Sequence, residues 1–536
     1  MSLPNRNNPY SFKEWLEKSK VNFFTADEFL QQCLRHYVME DVDTLAAKLE
    51  KFADAVSFRW GGLAEECARP ENRPYMMHYD AYHNRIDRIV RPYEMKMLEQ
   101  EIFASGLYAK GTGDWERFIK MLLLNENGEF GVMCPELCTE GLIHAIEELS
   151  EPETRPQELA RILQHCSEGI SGEYGIGAQF LSEIQGGSDV PANLLEAEFD
   201  GENWRLYGDK FFCSALHADY FVVTAKPQGS EKVAVFVVPA WLPGDKEKEI
   251  RNGYTIDRLK WKMGTVELPT GEVTFKGAAA YPLGELDRGV ANVVGIVLSY
   301  SRLGVGATCA GSMVRAVRDA KSYAGFREAF GRKINQFPLL ANQLERLEAQ
   351  AQRAVAGAFK LFDLFLKTGG KFTTKPNPAE TPEQKRPRFL VRELVLLAKM
   401  YTSKISTEVI HDAMSVFGGH GVMEDFTVLP RLYRDSNINE LWEGPRNVLL
   451  TQIHNDFKRY SQLYSPAEFV RDCLSGADAE LISQLADRMT RLLAHPSLEA
   501  NDAETLKTAA DWDLFADDLM LAFQEQARQE VLANQE

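Results

Sequence analysis

Cysteine is scarce, with eight residues scattered through 536, which is too few for a disulfide framework in so long a chain. Cys134 and Cys138 form the only close pair, and no second pair stands at finger spacing. Two buried thiols are therefore favoured over a metal site. No long uninterrupted apolar run occurs. Val290 to Val314 comes nearest, but Arg302 breaks it and Ser, Gly and Thr are frequent, which fits a buried helix and not a membrane span. The opening MSLPNRNNPYSFKEW has no apolar h-region, so no secretory signal is visible and the chain is expected to be cytoplasmic. Positive charge is in deficit: 60 Lys and Arg face 78 Asp and Glu, a formal net charge of −18. That argues against generic polyanion binding, although a local basic face could survive it. The sequence also lacks a P-loop, an HExxH, a nucleophile elbow and paired CxxC motifs. Gly304-x-Gly306 has no third glycine and follows an apolar helical run instead of a strand, so a Rossmann site fails as well.

What remains is ordinary globular composition, 45% hydrophobic and 26% charged, in a chain long enough for two to four packed units. Residues 1–175 look mainly helical, with apolar residues at three and four spacing over Phe12 to Lys20, Ala26 to Arg35, Asp43 to Phe52, Met97 to Ala109 and Trp115 to Leu124. Gly141 to Leu149 follows a Cys134-Pro135 turn. Between 176 and 285 short β-rich runs take over: Leu194 to Phe199, Trp204 to Tyr207, Tyr220 to Ala225, Val233 to Val238 and Glu272 to Phe275. Asp200-Gly201 lies between the first two with the chemistry of a tight hairpin. Closely spaced strands without intervening helices indicate an antiparallel β domain. Residues 286–460 return to long helices, in which Gly304, Gly306 and Gly311 let backbones approach. Pro376, Pro378, Pro382 and Pro387 keep the polar stretch Thr368 to Arg388 from being helical throughout. Residues 461–536 form an acidic helical extension with 15 Asp and Glu against 5 Lys and Arg, whereas 310–460 has 23 Lys and Arg against 16 Asp and Glu. The fold class is α+β: helical domain, β domain, helical bundle, helical tail.

Four segments could carry chemistry. Ser182-Glu183-Ile184-Gln185-Gly186-Gly187-Ser188-Asp189 offers successive N–H groups and hydroxyls to a phosphate or a flavin edge, although alone it reads as a Gly-Gly turn with local caps. Lys210-Phe211-Phe212-Cys213-Ser214 places an aromatic ring beside a hydroxyl, which alone is a buried strand end. Arg327-Glu328-Ala329-Phe330-Gly331-Arg332 follows a long helix, where a single Arg is usually a solvated charge. The fourth comprises Phe417-Gly418-Gly419-His420-Gly421, Leu429-Pro430-Arg431-Leu432-Tyr433-Arg434-Asp435 and Leu441-Trp442-Glu443-Gly444-Pro445. Desolvation beside Leu441 and Trp442 would raise the Glu443 pKa and suit it to proton abstraction; by itself such a Glu is more often structural.

Taken together, in this order and spacing, the segments resemble the acyl-CoA dehydrogenase flavoprotein family from roughly Met133 to Leu450. The Gln-Gly-Gly-Ser-Asp-Val form of 185–190, Phe-Phe before Ser214, Gln336-x-Pro338 and the 429–434 run are similar to its AidB-like branch. The resemblance implies a helical domain, a middle β domain and a C-terminal four-helix bundle, with FAD bound between the β domain and the bundle. It implies Ser182 at the flavin ring, Ser188 at the pyrophosphate, and Phe212 and Ser214 where the family has Trp and Thr. Arg327, with Phe330 in the same segment, is implied at the FAD of a neighbouring subunit, and Gly418, Gly419 and Gly421 at the partner's adenosine end, hence a homodimer or homotetramer. Glu443 is implied as the base that takes the α proton of an acyl-CoA while hydride leaves the β carbon for the flavin, with an electron-transfer flavoprotein as acceptor.

Two positions depart from the pattern. Pro445 replaces the usual Thr or Ser of the FAD-facing turn, and Ile184-Gln185 replaces Pro-Gly. The alternative function is an AidB-like protective flavoprotein associated with nucleic acid. The strongly negative tail opposes that partner, and no membrane partner is expected.

Overall fold

A computed structural model describes residues 10–39, 41–375 and 379–533. Helices dominate up to residue 167, interrupted by one hairpin, β1 (Tyr75–Tyr79) and β2 (Arg85–Val90). That hairpin ties the first part to the sheet: Asp87 accepts from the Ile256 N–H at 3.0 Å, and Arg85 donates to the Ile256 carbonyl at 3.1 Å.

The sheet comprises β3 (Gly177–Phe180), β4 (Glu196–Phe199), β5 (Trp204–Cys213), β6 (Tyr220–Pro227), β7 (Ala234–Pro239), β8 (Tyr254–Leu259) and β9 (Gly271–Pro282). β6, β4, β5, β9 and β7 pair in that order and β7 closes back onto β6, while β3 adds to β6 and β8 to β9. The ring is antiparallel except where β6 runs parallel to β3 and, over two residues, to β4. The parallel pairs are joined through intervening strands, β4 and β5 between β3 and β6 and β5 between β4 and β6, which supply the long crossover a parallel pair needs. β7 is buried at every position and β6 at nearly every one, which explains their unbroken apolar runs. The Asp200-Gly201 hairpin forms as its residues predict: Phe199 pairs with Trp204, Asp200 caps the N–H groups of Glu202 and Asn203, and Gly201 takes φ +102°.

Three long helices, Leu298–Phe326, Pro338–Lys367 and Pro382–Val416, pack on one another, and Leu429–Asn439 and Arg446–Arg459 pack against the third. The apolar stretch beginning at Gly289 has the length and hydropathy to cross a membrane, but 78% of its most apolar window is buried inside the protein; it is a core helix. Gly311 is required, because a Cβ there would lie 2.4 Å from the Leu122 carbonyl oxygen, and one at Gly304 would strike Leu137. Gly306 meets nothing within 4 Å, so its predicted role in close packing is not realised.

The expected turn at Cys134-Pro135 is also absent. Pro135 lies inside the helix Phe130–Leu149, every residue of which from Phe130 to Thr139 is buried. A proline inside a helix costs about 3 kcal/mol, and burial on all sides offsets it. The polar stretch breaks as expected: one helix ends at Lys367 and the next begins at Pro382 behind a Thr381 capping box. Pro387 is accommodated inside that second helix, while Pro376 and Pro378 lie outside the described residues.

The tail folds as the helices Pro466–Cys473, Ala479–Ala494 and Ala503–Ala533. Its last helix lies on the bundle with Trp512, Phe515, Leu519, Met520 and Phe523 buried. Its acidic residues meet bundle cations: Glu525 with Arg353, Glu530 with Lys360, Asp517 with Lys404 and Asp513 with Arg446. Part of the charge segregation along the chain is thus an internal contact.

Candidate active site

Glu443 stands in the turn between the helices Leu429–Asn439 and Arg446–Arg459. Its backbone is left-handed, φ +59°, and Gly444 follows at φ +101°. A non-glycine residue in that region costs of order 1–3 kcal/mol and persists only where its surroundings enforce it. Two buried cations do so. Arg302 donates through Nε to the Glu443 carbonyl at 2.8 Å. Lys399 donates through Nζ to the Gly444 carbonyl at 2.8 Å and the Glu440 carbonyl at 3.2 Å. Burial pushes Arg302 down to about 10 and Lys399 down to about 8.

Both cations direct their hydrogen bonds to backbone oxygens, and among the described residues none bonds the Glu443 carboxylate, whose Oε2 is enclosed. Burial raises the Glu443 pKa, and the nearby charges of Arg302 and Lys399 only partly oppose that rise. The Glu443 and Gly444 N–H groups likewise make no hydrogen bond to another described residue. Cys138 lies close enough to feel the carboxylate; contact with Cys134 and burial raise its thiol far above the usual range, so it is not poised as a nucleophile.

On the β-domain side, the Ser182 carbonyl accepts from the Phe211 N–H at 2.9 Å, which brings the first two predicted segments together. Glu183, between them, is structural: Lys210, itself fully buried, donates to it at 2.7 Å, and the Leu194 and Leu195 N–H groups at 2.6 and 3.1 Å. From this anchor residues 184–189 stand exposed, Ser188 among them. Gly187 lies against Ser182, where a Cβ would sit 2.6 Å from the hydroxyl oxygen. Phe212 is 53% exposed. The Lys260 ammonium lies 3.3 Å from the Phe211 ring centre and 4.6 Å from that of Phe212. Ser214 bonds Thr270 at 3.1 Å, and Lys262 donates to Thr270 at 2.9 Å.

The remaining predicted residues form a second cluster. Arg327 ends the helix Leu298–Phe326, with its guanidinium over the Tyr10 ring. Phe330, 97% exposed and at φ +52°, tips a two-residue hairpin of β10 (Glu328–Ala329) and β11 (Arg332–Lys333). Tyr323 links this end to the Gly418–Val422 turn by a 3.2 Å hydrogen bond to His420. Gly421 has no room for a side chain, since a Cβ would lie 2.1 Å from the Met414 carbonyl oxygen, whereas Gly418 and Gly419 are open. Trp15, stacked on Phe426, brings the N-terminal segment into the same aromatic cluster.

Two family descriptions match the chain: the acyl-CoA dehydrogenase middle domain over residues 178–278, and the acyl-CoA dehydrogenase C-terminal domain over residues 287–457. The chain belongs to the acyl-CoA dehydrogenase family. It is 26% identical over 514 residues to acyl-CoA dehydrogenase family member 11 of Caenorhabditis elegans, covering 90% of this chain and 80% of that protein. It is also 26% identical to the putative acyl-CoA dehydrogenase AidB of Escherichia coli, covering 90% and 85%. Among solved structures, the apo form of Bd2924 superposes with a TM-score of 0.82 at 25% identity over 96% of this chain and 98% of that one. Caenorhabditis elegans ACDH-11, solved in complex with C11-CoA, superposes with a TM-score of 0.76 at 23% identity over 96% and 91%.

The residues assigned to FAD fit an acyl-CoA dehydrogenase's flavin dinucleotide in kind: an exposed glycine turn with the Ser182 and Ser188 hydroxyls, an exposed ring face at Phe212, and the Arg327 guanidinium, suited to phosphate. Sequence reasoning missed Arg302 and Lys399, which shape the Glu443 turn, and Lys260 and Lys262, which lie beside Phe212 and bond Thr270 next to Ser214. Only Arg302 left a signal, as the charge inside an apolar run.

Proposed function

We propose that the protein is an FAD-dependent acyl-CoA dehydrogenase in which Glu443 removes the α proton of an acyl-CoA thioester. One observation carries this reading: a carboxyl with an enclosed, unpartnered oxygen and a raised pKa, held on a turn by two cations that do not neutralise it. The α C–H of a thioester is weakly acidic, so the base gains strength as its own pKa climbs toward neutrality. The free N–H groups of Glu443 and Gly444 are available to a thioester oxygen on which enolate charge gathers. Bound FAD supplies the acceptor for the β-hydride. Arg302 and Lys399 hold the backbone of the Glu443 turn in place, and Phe212 offers a ring face to the isoalloxazine.

Arg327, the exposed Phe330 and the Gly418–Gly421 turn serve a second copy of the chain, which makes the working protein a homodimer or larger. An electron-transfer flavoprotein is the fitting acceptor. The nucleic-acid reading is opposed by the tail, whose carboxylates already pair with Arg353, Lys360, Lys404 and Arg446. Anaerobic titration of the yellow protein with straight-chain, branched and aromatic acyl-CoA thioesters tests the proposal. At least one should bleach the flavin band, and a flavin that none of them bleaches refutes it.

A further inference from the structure

We infer that the C-terminal extension belongs to the catalytic apparatus: Asp513 and Asp517 are positioning residues that set the Glu443 turn through Arg446. The inference rests on the reading of Glu443 as the base. Arg446 opens the helix Arg446–Arg459, with only Gly444 and Pro445 between it and Glu443. A cation there faces the positive end of the helix dipole and needs compensation. Its Nε donates to Asp513 Oδ1 at 2.5 Å and its Nη2 to the Asp513 carbonyl at 2.9 Å.

The Asp517 carboxylate then joins both walls of the turn. One oxygen lies 2.8 Å from Arg446 Nη2, and the other accepts from Lys404 Nζ at 2.9 Å. Lys404 lies on the helix that carries Lys399, the residue gripping the Gly444 carbonyl. Flanking contacts hold the clamp in register: Trp512 Nε1 donates to the Leu450 carbonyl at 3.1 Å, and Gln524 to Thr402 Oγ1 at 3.0 Å. By contrast Glu530, farther along the same tail helix, pairs with Lys360 on the helix Pro338–Lys367, which makes no hydrogen bond to residues 440–446.

The experiment compares full-length, FAD-loaded wild type with the Asp513→Asn/Asp517→Asn double variant, the milder Asp513→Asn, the conservative Asp513→Glu and the control Glu530→Gln. Misplacing a reacting group by about 1 Å costs about 100-fold in rate. The double variant should therefore lose about 10- to 100-fold in the limiting rate of flavin reduction, with acyl-CoA affinity nearly unchanged and a shifted pH midpoint. Asp513→Asn should lose less, and Asp513→Glu should recover most of the rate. Hydrogen exchange at the Trp442, Val448 and Leu449 amides, which hydrogen-bond to carbonyls on either side of the turn, read without substrate, should quicken about tenfold in the double variant and not in Glu530→Gln. Unchanged exchange and pH midpoint in the double variant overturn the clamp, as does an equal loss in Glu530→Gln, which would mark a merely structural tail. If no acyl-CoA reduces the wild type, the assignment of the base falls, and the exchange data alone then decide whether the clamp exists.

Discussion

Two glutamates, Glu183 and Glu443, sit on loops beside a buried lysine whose pKa burial has pushed down to about 8. They end in opposite states because of where the lysine proton points. Lys210 donates to the Glu183 carboxylate itself. Burial alone would raise that carboxyl, but the Lys210 charge and its hydrogen bonds outweigh this and hold it below the usual range. Lys399 donates to main-chain oxygens, so Glu443 keeps its desolvation and its raised pKa. An ionised, saturated carboxylate stabilises a loop; an unsaturated one can take a proton. A buried ion pair and a buried, unpartnered carboxyl thus differ by the target of one ammonium group.

The largest break in the contrast is Glu443→Gln. Loss of a general base typically costs about 10²–10⁴-fold, so flavin reduction in stopped flow should slow by that much while FAD stays bound. Glu183→Gln should do the reverse: breaking a buried pair costs about 3–5 kcal/mol, read as a lower denaturation midpoint, with the pH profile of flavin reduction in place. Lys399→Met removes two charge-assisted bonds from the turn and a cation that opposes the raised pKa of Glu443. The limiting rate should fall about tenfold and its acid limb move to higher pH.

Stability against pH separates the two residues further. Glu183, with its folded pKa depressed, contributes above the unfolded carboxylate pKa and loses that contribution as pH falls through the folded value. Glu443, with its folded pKa raised, contributes fully below the unfolded value and loses that contribution as pH rises through the folded one. Denaturant titrations should therefore show the Glu183→Gln penalty shrinking in acid, and Glu443→Gln gaining on wild type as pH increases. The smallest effect expected is from Pro445→Thr. One added hydrogen bond, about 1 kcal/mol, should tighten FAD about fivefold in fluorescence titration.

Part of the candidate site was legible in the residues. Glu443 is singled out by the resemblance of the ordered segments to the acyl-CoA dehydrogenase family, since alone it reads as structural. The Ser182 and Phe212 segments, both implied at the flavin, meet through the Phe211 N–H and the Ser182 carbonyl, while the Glu183–Lys210 pair left no signal. Local pattern could not reveal Lys399, because a lysine in a 35-residue helix looks solvated until the turn folds over it. β8, Tyr-Thr-Ile-Asp-Arg-Leu after an irregular stretch, and the Gly-Ala-Ala-Ala extension of β9 escaped for a related reason. The β9 alanines are weak strand formers held in the sheet by pairing with Trp204, Arg205 and Leu206 of β5, and β8, whose Tyr, Thr and Ile favour strands, joins the sheet by pairing with β9. Pro135 misled in the other direction, since a local rule against helix yields when every neighbour is buried.

The acidic tail also changes what a charge count means for this chain. Four of its carboxylates, Asp513, Asp517, Glu525 and Glu530, pair with bundle cations, so the formal −18 overstates how negative that face looks to an approaching ion. Ion-exchange retention, crystallisation conditions and colloidal behaviour follow the charges left outside such contacts. Engineering the surface of this protein should therefore begin from the unpaired residues, because an acid-to-lysine exchange in the last helix would unseat a docked segment before it altered the exterior field.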